Sequence, residues 1–114
     1  MKEIIIIGIG KTARDIYYFI KDYNLFEIKA FAVDREYKIL SKFLDLPVLS
    51  IEEIRLDERF NSCSLFVPIQ WNYLNRQRKE VYERLKGLGY DFVNVISPNA
   101  VIHSQAQLGE NCWI

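Results

Sequence analysis

The sequence predicts an α/β fold, in which a Rossmann-like parallel sheet with flanking helices precedes the first coil of a truncated left-handed β-helix. Two observations support this prediction. Short apolar runs rich in β-branched residues alternate with amphipathic stretches at helical spacing, which is typical of βαβ units. The chain then changes to a six-residue period. We therefore expect a Rossmann-like domain over residues 1–95 and the start of a β-helix over residues 96–114.

Composition and charge argue against several functional classes. Of the 114 residues 50% are apolar and 14% are aromatic, which is enough for a buried core. Lys plus Arg and Asp plus Glu both number 15, so no net charge draws the chain to nucleic acid or to an anionic membrane. The two cysteines lack the spacing of a zinc site, and no apolar stretch reaches the length of a membrane-spanning helix. We expect a cytoplasmic protein without a metal site.

The predicted strands are short apolar runs. They cover residues 3–7, 28–33, 64–69 and 91–96. A brief extended piece is expected at 46–49, between the second and third of these strands. Residues 35–45 have mixed polarity, which indicates a loop or a short irregular helix.

Three helices are predicted between these strands. The first begins with a Thr-x-x-Asp capping box formed by Thr12 and Asp15, and its apolar side chains recur at helical spacing. Ser50 is expected to cap a short helix that starts at Ile51. The longest helix is expected over residues 72–86, with a glycine after it ending the helix in a left-handed conformation.

A glycine-rich turn joins the first strand to the first helix. Residues 8–13 read Gly-Ile-Gly-Lys-Thr-Ala and match the G-x-G-x-x-A fingerprint. Glycines let the backbone approach a phosphate, and the start of the helix offers N–H groups and a positive dipole end. Asp34, at the end of the second strand, can accept a hydrogen bond from a ribose or a base. The candidate ligand-binding residues of this region are Gly8, Gly10, Lys11, Thr12, Arg14 and Asp34.

Basic residues crowd the helix predicted over residues 72–86. Most of them are expected to form a solvated face, to which the pair Glu80 and Arg84 at a spacing of four belongs. Arg78 differs because it interrupts the apolar stripe of the helix. An arginine directed toward the strand ends either pairs with a carboxylate or reaches for a phosphate.

The closing residues repeat with a period of six. Ile96, Ile102, Leu108 and Ile114 occupy one register, and small residues occupy another. This is the signature of a left-handed β-helix, in which three flat sides make one coil. A single coil cannot bury its own interior or pair its edges, so we expect further coils to follow.

With these motifs the chain resembles the hexapeptide-repeat sugar O- or N-acyltransferases, the group of sialic acid O-acetyltransferase-like and bacillosamine N-acetyltransferase-like enzymes. The similarity includes FAVD at 31–34, LDLPVLSIEEI at 44–54 and ISPNAVI at 96–102. It also includes a spaced pattern in the last predicted helix, formed by Asn75, Arg78, Tyr82, Lys86, Gly89 and Tyr90.

The resemblance implies a function for each part. The N-terminal domain would bind a UDP- or dTDP-linked sugar. The β-helix of the full-length enzyme would form a homotrimer, use acetyl-CoA or another acyl-CoA, and supply a catalytic histidine. This segment alone would bind no acyl-CoA and would be inactive. On the resemblance, Gly8 and Gly10 would face the pyrophosphate, and Asp34 and Arg35 would face the base or ribose. Asn75 and Arg78 would lie near the sugar-binding edge or brace it.

His103 is the single histidine and is not assigned as the catalytic base, because no carboxylate is placed to orient it.

Two other functions stay open at the level of the sequence. An NAD(P)-binding oxidoreductase fragment would explain the glycine fingerprint and Asp34 but leaves the six-residue period unexplained. A non-catalytic regulatory or assembly module that has lost its ligand is favoured by Lys11, Thr12 and Gln70, where many members of the group have Gly-His and Gly.

Overall fold

The computed structural model describes residues 1–68, 76–96, 98 and 111, with residues 37 and 76–78 described by their backbone alone. The apolar runs form one five-stranded sheet, whose strands are β1 (Glu3–Ile7), β2 (Glu27–Val33), β3 (Lys42–Phe43), β4 (Leu46–Ser50) and β5 (Ser64–Phe66). Their order across the sheet is β3-β4-β2-β1-β5. Every pairing is parallel except that of β3 with β4. The prediction of a Rossmann-like, mainly parallel sheet is confirmed.

Two helices cover opposite faces of this sheet, α1 (Lys11–Tyr23) and α2 (Arg76–Gly87). Successive side chains of a strand point to opposite faces, so Ile4 and Ile6 of β1 pack on the α1 side and Ile5 and Ile7 on the α2 side. Burial on both faces explains why β1 is a continuous apolar run rather than an alternating one. Two short 3-10 helices are present, one over Arg35–Tyr37 after β2 and one over Ile51–Glu53 after β4.

The order of the strands places a topological switch point beside β1. The chain moves outward from β1 through β2 to β4, and then crosses back so that β5 lies on the other side of β1. In open α/β sheets, ligands bind outside the carboxyl ends of the strands at such a switch point.

The interpretation of residues 35–45 as a loop or short irregular helix missed β3. Lys42 pairs with Pro47 and Phe43 with Leu46, so β3 and β4 form a tight hairpin. The two residues between them, Leu44 and Asp45, have φ of 50° and 65°. Two left-handed residues make a type I′ turn, which usually carries Asn-Gly or Asp-Gly, so Leu-Asp gave no turn signal.

Both predicted side-chain caps are wrong. Gly10 is the N-cap of α1 and has no side chain that could cap the helix, and Thr12 lies inside the helix. Ser50 does precede a short helix, but it makes no side-chain cap hydrogen bond. Its hydroxyl is buried and has no partner in the part of the chain that the structure describes.

The end of the described chain adds to the sheet beyond β5. Phe92 forms a parallel bridge with Leu65, where the predicted strand 91–96 begins. Before it, α2 ends at Gly87, and Gly89 has a φ of 90°, as expected for a glycine that ends a helix.

The predicted six-residue period over residues 96–114 lies outside the described residues except at Ile96, Pro98 and Asn111. Over the residues with a described structure, no helix is both long and apolar enough to span a membrane.

Candidate functional site

A cavity of about 530 Å³ opens at the carboxyl end of the sheet, at the switch point. It lies on the α2 side, where the ends of β1, β2 and β5 meet the middle of α2. Its walls are apolar near the strands and charged near the rim. The lining residues are Ile7, Gly8, Val33, Asp34, Glu36, Ile51, Val67, Glu80, Val81 and Arg84.

The two glycines of the turn have different roles. Gly8 has a φ of 113°, a backbone conformation that residues other than glycine rarely adopt. Its N–H donates to the carbonyl of Ala32 at 2.8 Å. A Cβ at Gly8 would meet the nearest atom, Cβ of Ala13, at 4.0 Å, so conformation rather than space requires glycine there.

Gly10 has an extended backbone, and a Cβ built on it would meet no atom within 4 Å. The space in front of the first turn of α1 is therefore open. Because a helix leaves its first N–H groups without intrahelical acceptors, and because no acidic residue occupies this turn, the start of α1 is suited to an anion.

An ion pair spans the charged side of the cavity. Nη2 of Arg84 in α2 donates to Oδ1 of Asp34 at the end of β2, at 2.5 Å. The expected pairing of Arg84 with Glu80 on a solvated face is replaced by this contact across the cavity. A guanidinium carries five N–H donors in a planar fork, so Arg84 can hold Asp34 and still donate to a phosphate oxygen.

The structure brings together only part of the predicted site. Among the predicted ligand residues with described side chains, Gly8 and Asp34 line the cavity. Gly10, Lys11, Thr12, Arg14 and Arg35 do not. The physical reason is that α1 packs on the opposite face of the sheet from α2, so its side chains leave the turn on the far side.

Two basic residues of the predicted site, Arg14 and Arg35, lie away from the cavity. The guanidinium of Arg14 lies 6.0 Å from the ring centre of Phe43 in β3, and Arg35 is exposed on the first 3-10 helix. Asn75 and His103 lie outside the described residues, and the side chain of Arg78 is likewise not described.

Three charged residues that line the cavity were not predicted as site residues: Glu36, and the pair Glu80 and Arg84, which was assigned to a solvated face. A signal for the last two existed, because both flank Val81 on the face of α2 next to its apolar stripe. Carboxylates accept hydrogen bonds from hydroxyl and N–H groups, whereas a guanidinium favours phosphate. The cavity therefore suits a ligand that combines sugar hydroxyls or a base with an anionic group.

Cys63 and Asp57, two described residues with shifted pKa values, lie outside the cavity. Burial raises the pKa of the Cys63 thiol. Hydrogen bonds from Arg59 lower the pKa of Asp57, in an exposed turn. In the described ranges, no three His, Cys, Asp or Glu side chains are grouped so as to hold a metal ion.

Comparison with known proteins gives a match in structure only. No protein-family model and no curated protein matches the chain. The chain is similar to two solved variants of perosamine N-acetyltransferase from Caulobacter crescentus, each with one histidine replaced and each in complex with CoA and GDP-perosamine. The TM-scores are 0.77 and 0.76, at 24% sequence identity.

The alignment covers 100% of this chain and 51% of each matched chain, so the chain spans about half of their length. The match establishes the fold. At that level it confirms the resemblance to sugar acyltransferases that the motifs indicated.

Proposed function

We propose that the chain is the acceptor-binding part of a bacterial sugar acyltransferase, in which it holds a nucleotide-linked sugar. The proposal rests on one observation, the cavity at the switch point, which combines the glycine turn with the Asp34–Arg84 ion pair. The match in fold over the whole of this chain to perosamine N-acetyltransferase, which was solved in complex with CoA and GDP-perosamine, supports it.

The cavity and the start of α1, which follows the turn that contains Gly8, have separate roles in this proposal. The open space before Gly10 and the first turn of α1 receive the diphosphate, and the guanidinium of Arg84 donates to its outer oxygens. Asp34 accepts hydrogen bonds from the ribose. The apolar wall packs against the flat face of the base. Its side chains are Ile7, Val33, Ile51, Val67 and Val81.

The proposal includes GDP-linked sugars in addition to the UDP- and dTDP-linked sugars that the resemblance implied. Glu36 and Glu80 add two carboxylates to the rim, which only accept hydrogen bonds when ionised. Guanine presents a ring N–H and an amino group side by side to such an acceptor, whereas uracil and thymine each present one ring N–H. The nucleotide bound by the matched enzyme is also a GDP-sugar.

We propose that the acyl transfer takes place in the domain that begins at residue 96. There acetyl-CoA or another acyl-CoA supplies the acyl group, in a β-helix domain that assembles as a homotrimer. We place the enzyme in the cytoplasm, in the synthesis of surface glycans. On this view the 114-residue chain binds the acceptor but transfers no acyl group, and turnover of acetyl-CoA by this chain with any nucleotide-sugar would contradict the proposal.

Calorimetric titration of the chain with GDP-mannose, UDP-N-acetylglucosamine, dTDP-glucose and NADH tests this function. We expect a nucleotide-sugar to bind, and Gly10→Ala to weaken its binding about tenfold or more, because the new methyl group occupies the space for the diphosphate. Fold stability should fall by no more than about 1 kcal/mol, since the extended backbone of Gly10 suits alanine, although alanine is a poorer N-cap residue than glycine.

Gly87→Ala is the matched control, because a Cβ there also meets no atom within 4 Å but lies at the far end of α2. Its affinity should equal that of the unaltered chain. Preferential binding of NADH would favour the oxidoreductase fragment, for which Asp34 at the end of β2 is the supporting observation. Failure of all four ligands to bind would favour the module that has lost its ligand.

A further inference from the structure

The side-chain amide of Asn111 makes two hydrogen bonds with the backbone of Val67, a residue that lines the cavity. The N–H of Val67 donates to Oδ1 of Asn111 at 2.8 Å, and Nδ2 of Asn111 donates to the carbonyl of Val67 at 2.8 Å. The two residues are 44 positions apart, so this is a tertiary contact rather than a local turn. We call this pair of hydrogen bonds the Asn111 clamp.

The clamp continues the hydrogen bonding of a parallel ladder. Residues two apart in a strand present their N–H and carbonyl groups to the same side. On that side Leu65 donates to the carbonyl of Asp91 at 2.8 Å and accepts from the N–H of Val93 at 3.1 Å. A regular ladder would bring the next carbonyl and N–H of that segment to Val67. The amide of Asn111 occupies both places.

Asparagine suits this position for two reasons. Its φ is 58°, in the left-handed region that Gly and Asn adopt more readily than other residues. Its amide also carries one acceptor and an adjacent donor, which match the carbonyl and N–H of a single residue. Glycine would keep this backbone and lose both hydrogen bonds. Aspartate would keep the acceptor and lose the donor.

We propose that Asn111 is a positioning residue for the cavity. Val67 lines the cavity next to Ile7 and Gly8, directly after the last residue of β5. By holding both polar groups of Val67, the clamp fixes this part of the wall and ties it to the chain beyond residue 96. The two hydrogen bonds of the clamp do not depend on the proposed function, whereas their consequence for ligand affinity rests on it.

Hydrogen exchange of single amides, followed by NMR on the 114-residue chain, tests the clamp. Asn111→Gly should accelerate exchange of the Val67 N–H about tenfold or more, because its acceptor is lost, while amides in the middle of β1 keep their rates. Asn111→Asp should stay within about threefold of the unaltered rate, because it keeps the acceptor. Unchanged exchange of Val67 in Asn111→Gly would overturn the proposal.

Asn24→Gly is the matched control. Asn24 also has a left-handed backbone, with a φ of 53°, but it ends α1 far from the cavity. The same substitution there should leave the exchange of Val67 unchanged.

Calorimetric titration with GDP-mannose tests the link to the cavity. Asn111→Gly should raise the Kd about fivefold, while Asn24→Gly leaves it unchanged. Faster exchange of Val67 with an unaltered Kd would overturn the positioning role. If the unaltered chain binds no nucleotide-sugar, the proposed function fails, and the exchange measurement still decides whether the clamp forms.

Discussion

The chemistry of single residues in this chain depends on what surrounds them, and Cys63 illustrates this. Its thiol is 7% exposed and packs in the cluster between the sheet and α2. Loss of solvation raises its pKa, and the carboxylate of Glu3 acts in the same direction. Since the thiolate is the nucleophilic form, this cysteine is an inert core residue rather than a reactive one.

Cys63 should make the stability of the fold depend on alkaline pH. The pKa is raised in the folded state, so its contribution is fully present below the pKa of the unfolded chain, about 8.5, and is lost as the pH rises through the folded value. Urea unfolding at several pH values from neutral to alkaline, with Cys63→Ala as the control, measures this. The decrease should be smaller in Cys63→Ala, and equal decreases in both proteins would contradict the prediction.

At the scale of elements, α2 joins the core to the site. Leu85 is fully buried against the sheet, and the ring of Tyr82 lies 4.7 Å from that of Phe92. On the neighbouring face of the same turns, Glu80 and Arg84 reach the rim of the cavity. The packing of the apolar side therefore sets the position of the charged side chains.

Leu85→Ala should destabilise the fold by about 2 to 4 kcal/mol, because it leaves a cavity in the core. Leu88→Ala is the matched control in the turn that follows α2, where the leucine is 49% exposed, and it should cost less than about 0.5 kcal/mol. Urea unfolding measures both. Similar losses in the two variants would show that α2 does not pack as described.

At the scale of the whole molecule, the candidate site is assembled from distant parts of the chain. Asp34 and Arg84 are 50 positions apart, and Val67 and Asn111 are 44 apart. A ligand in the cavity would contact strand ends and α2 together. Its binding energy would then add to the stability of the entire fold, because the unfolded chain has no such site.

A bound nucleotide-sugar should therefore raise the free energy of unfolding by about 2.7 kcal/mol at a ligand concentration near 100 times Kd. Thermal unfolding with increasing GDP-mannose measures this effect. Gly10→Ala should need a correspondingly higher concentration for the same rise. A midpoint that does not move at saturating ligand would contradict binding to the folded state.

The sequence alone determined the order of β1, α1, β2, β4, β5 and α2, the glycine turn, and the place of Asp34 at the end of β2. These features are local. A β-branched run, a helical period or a glycine that needs a positive φ is encoded by residues within one or two turns of each other, so it can be recognised without the fold.

The tertiary structure alone decided the partner of Arg84, the pairing of β3 and the contact of Asn111 with Val67. Each depends on which face of the sheet a helix covers and which edges of strands meet. Periodicity predicts which face of a helix or strand is apolar, but it does not predict which element packs against that face. Side chains separated by 44 or 50 positions are brought together only by the packing of the layers.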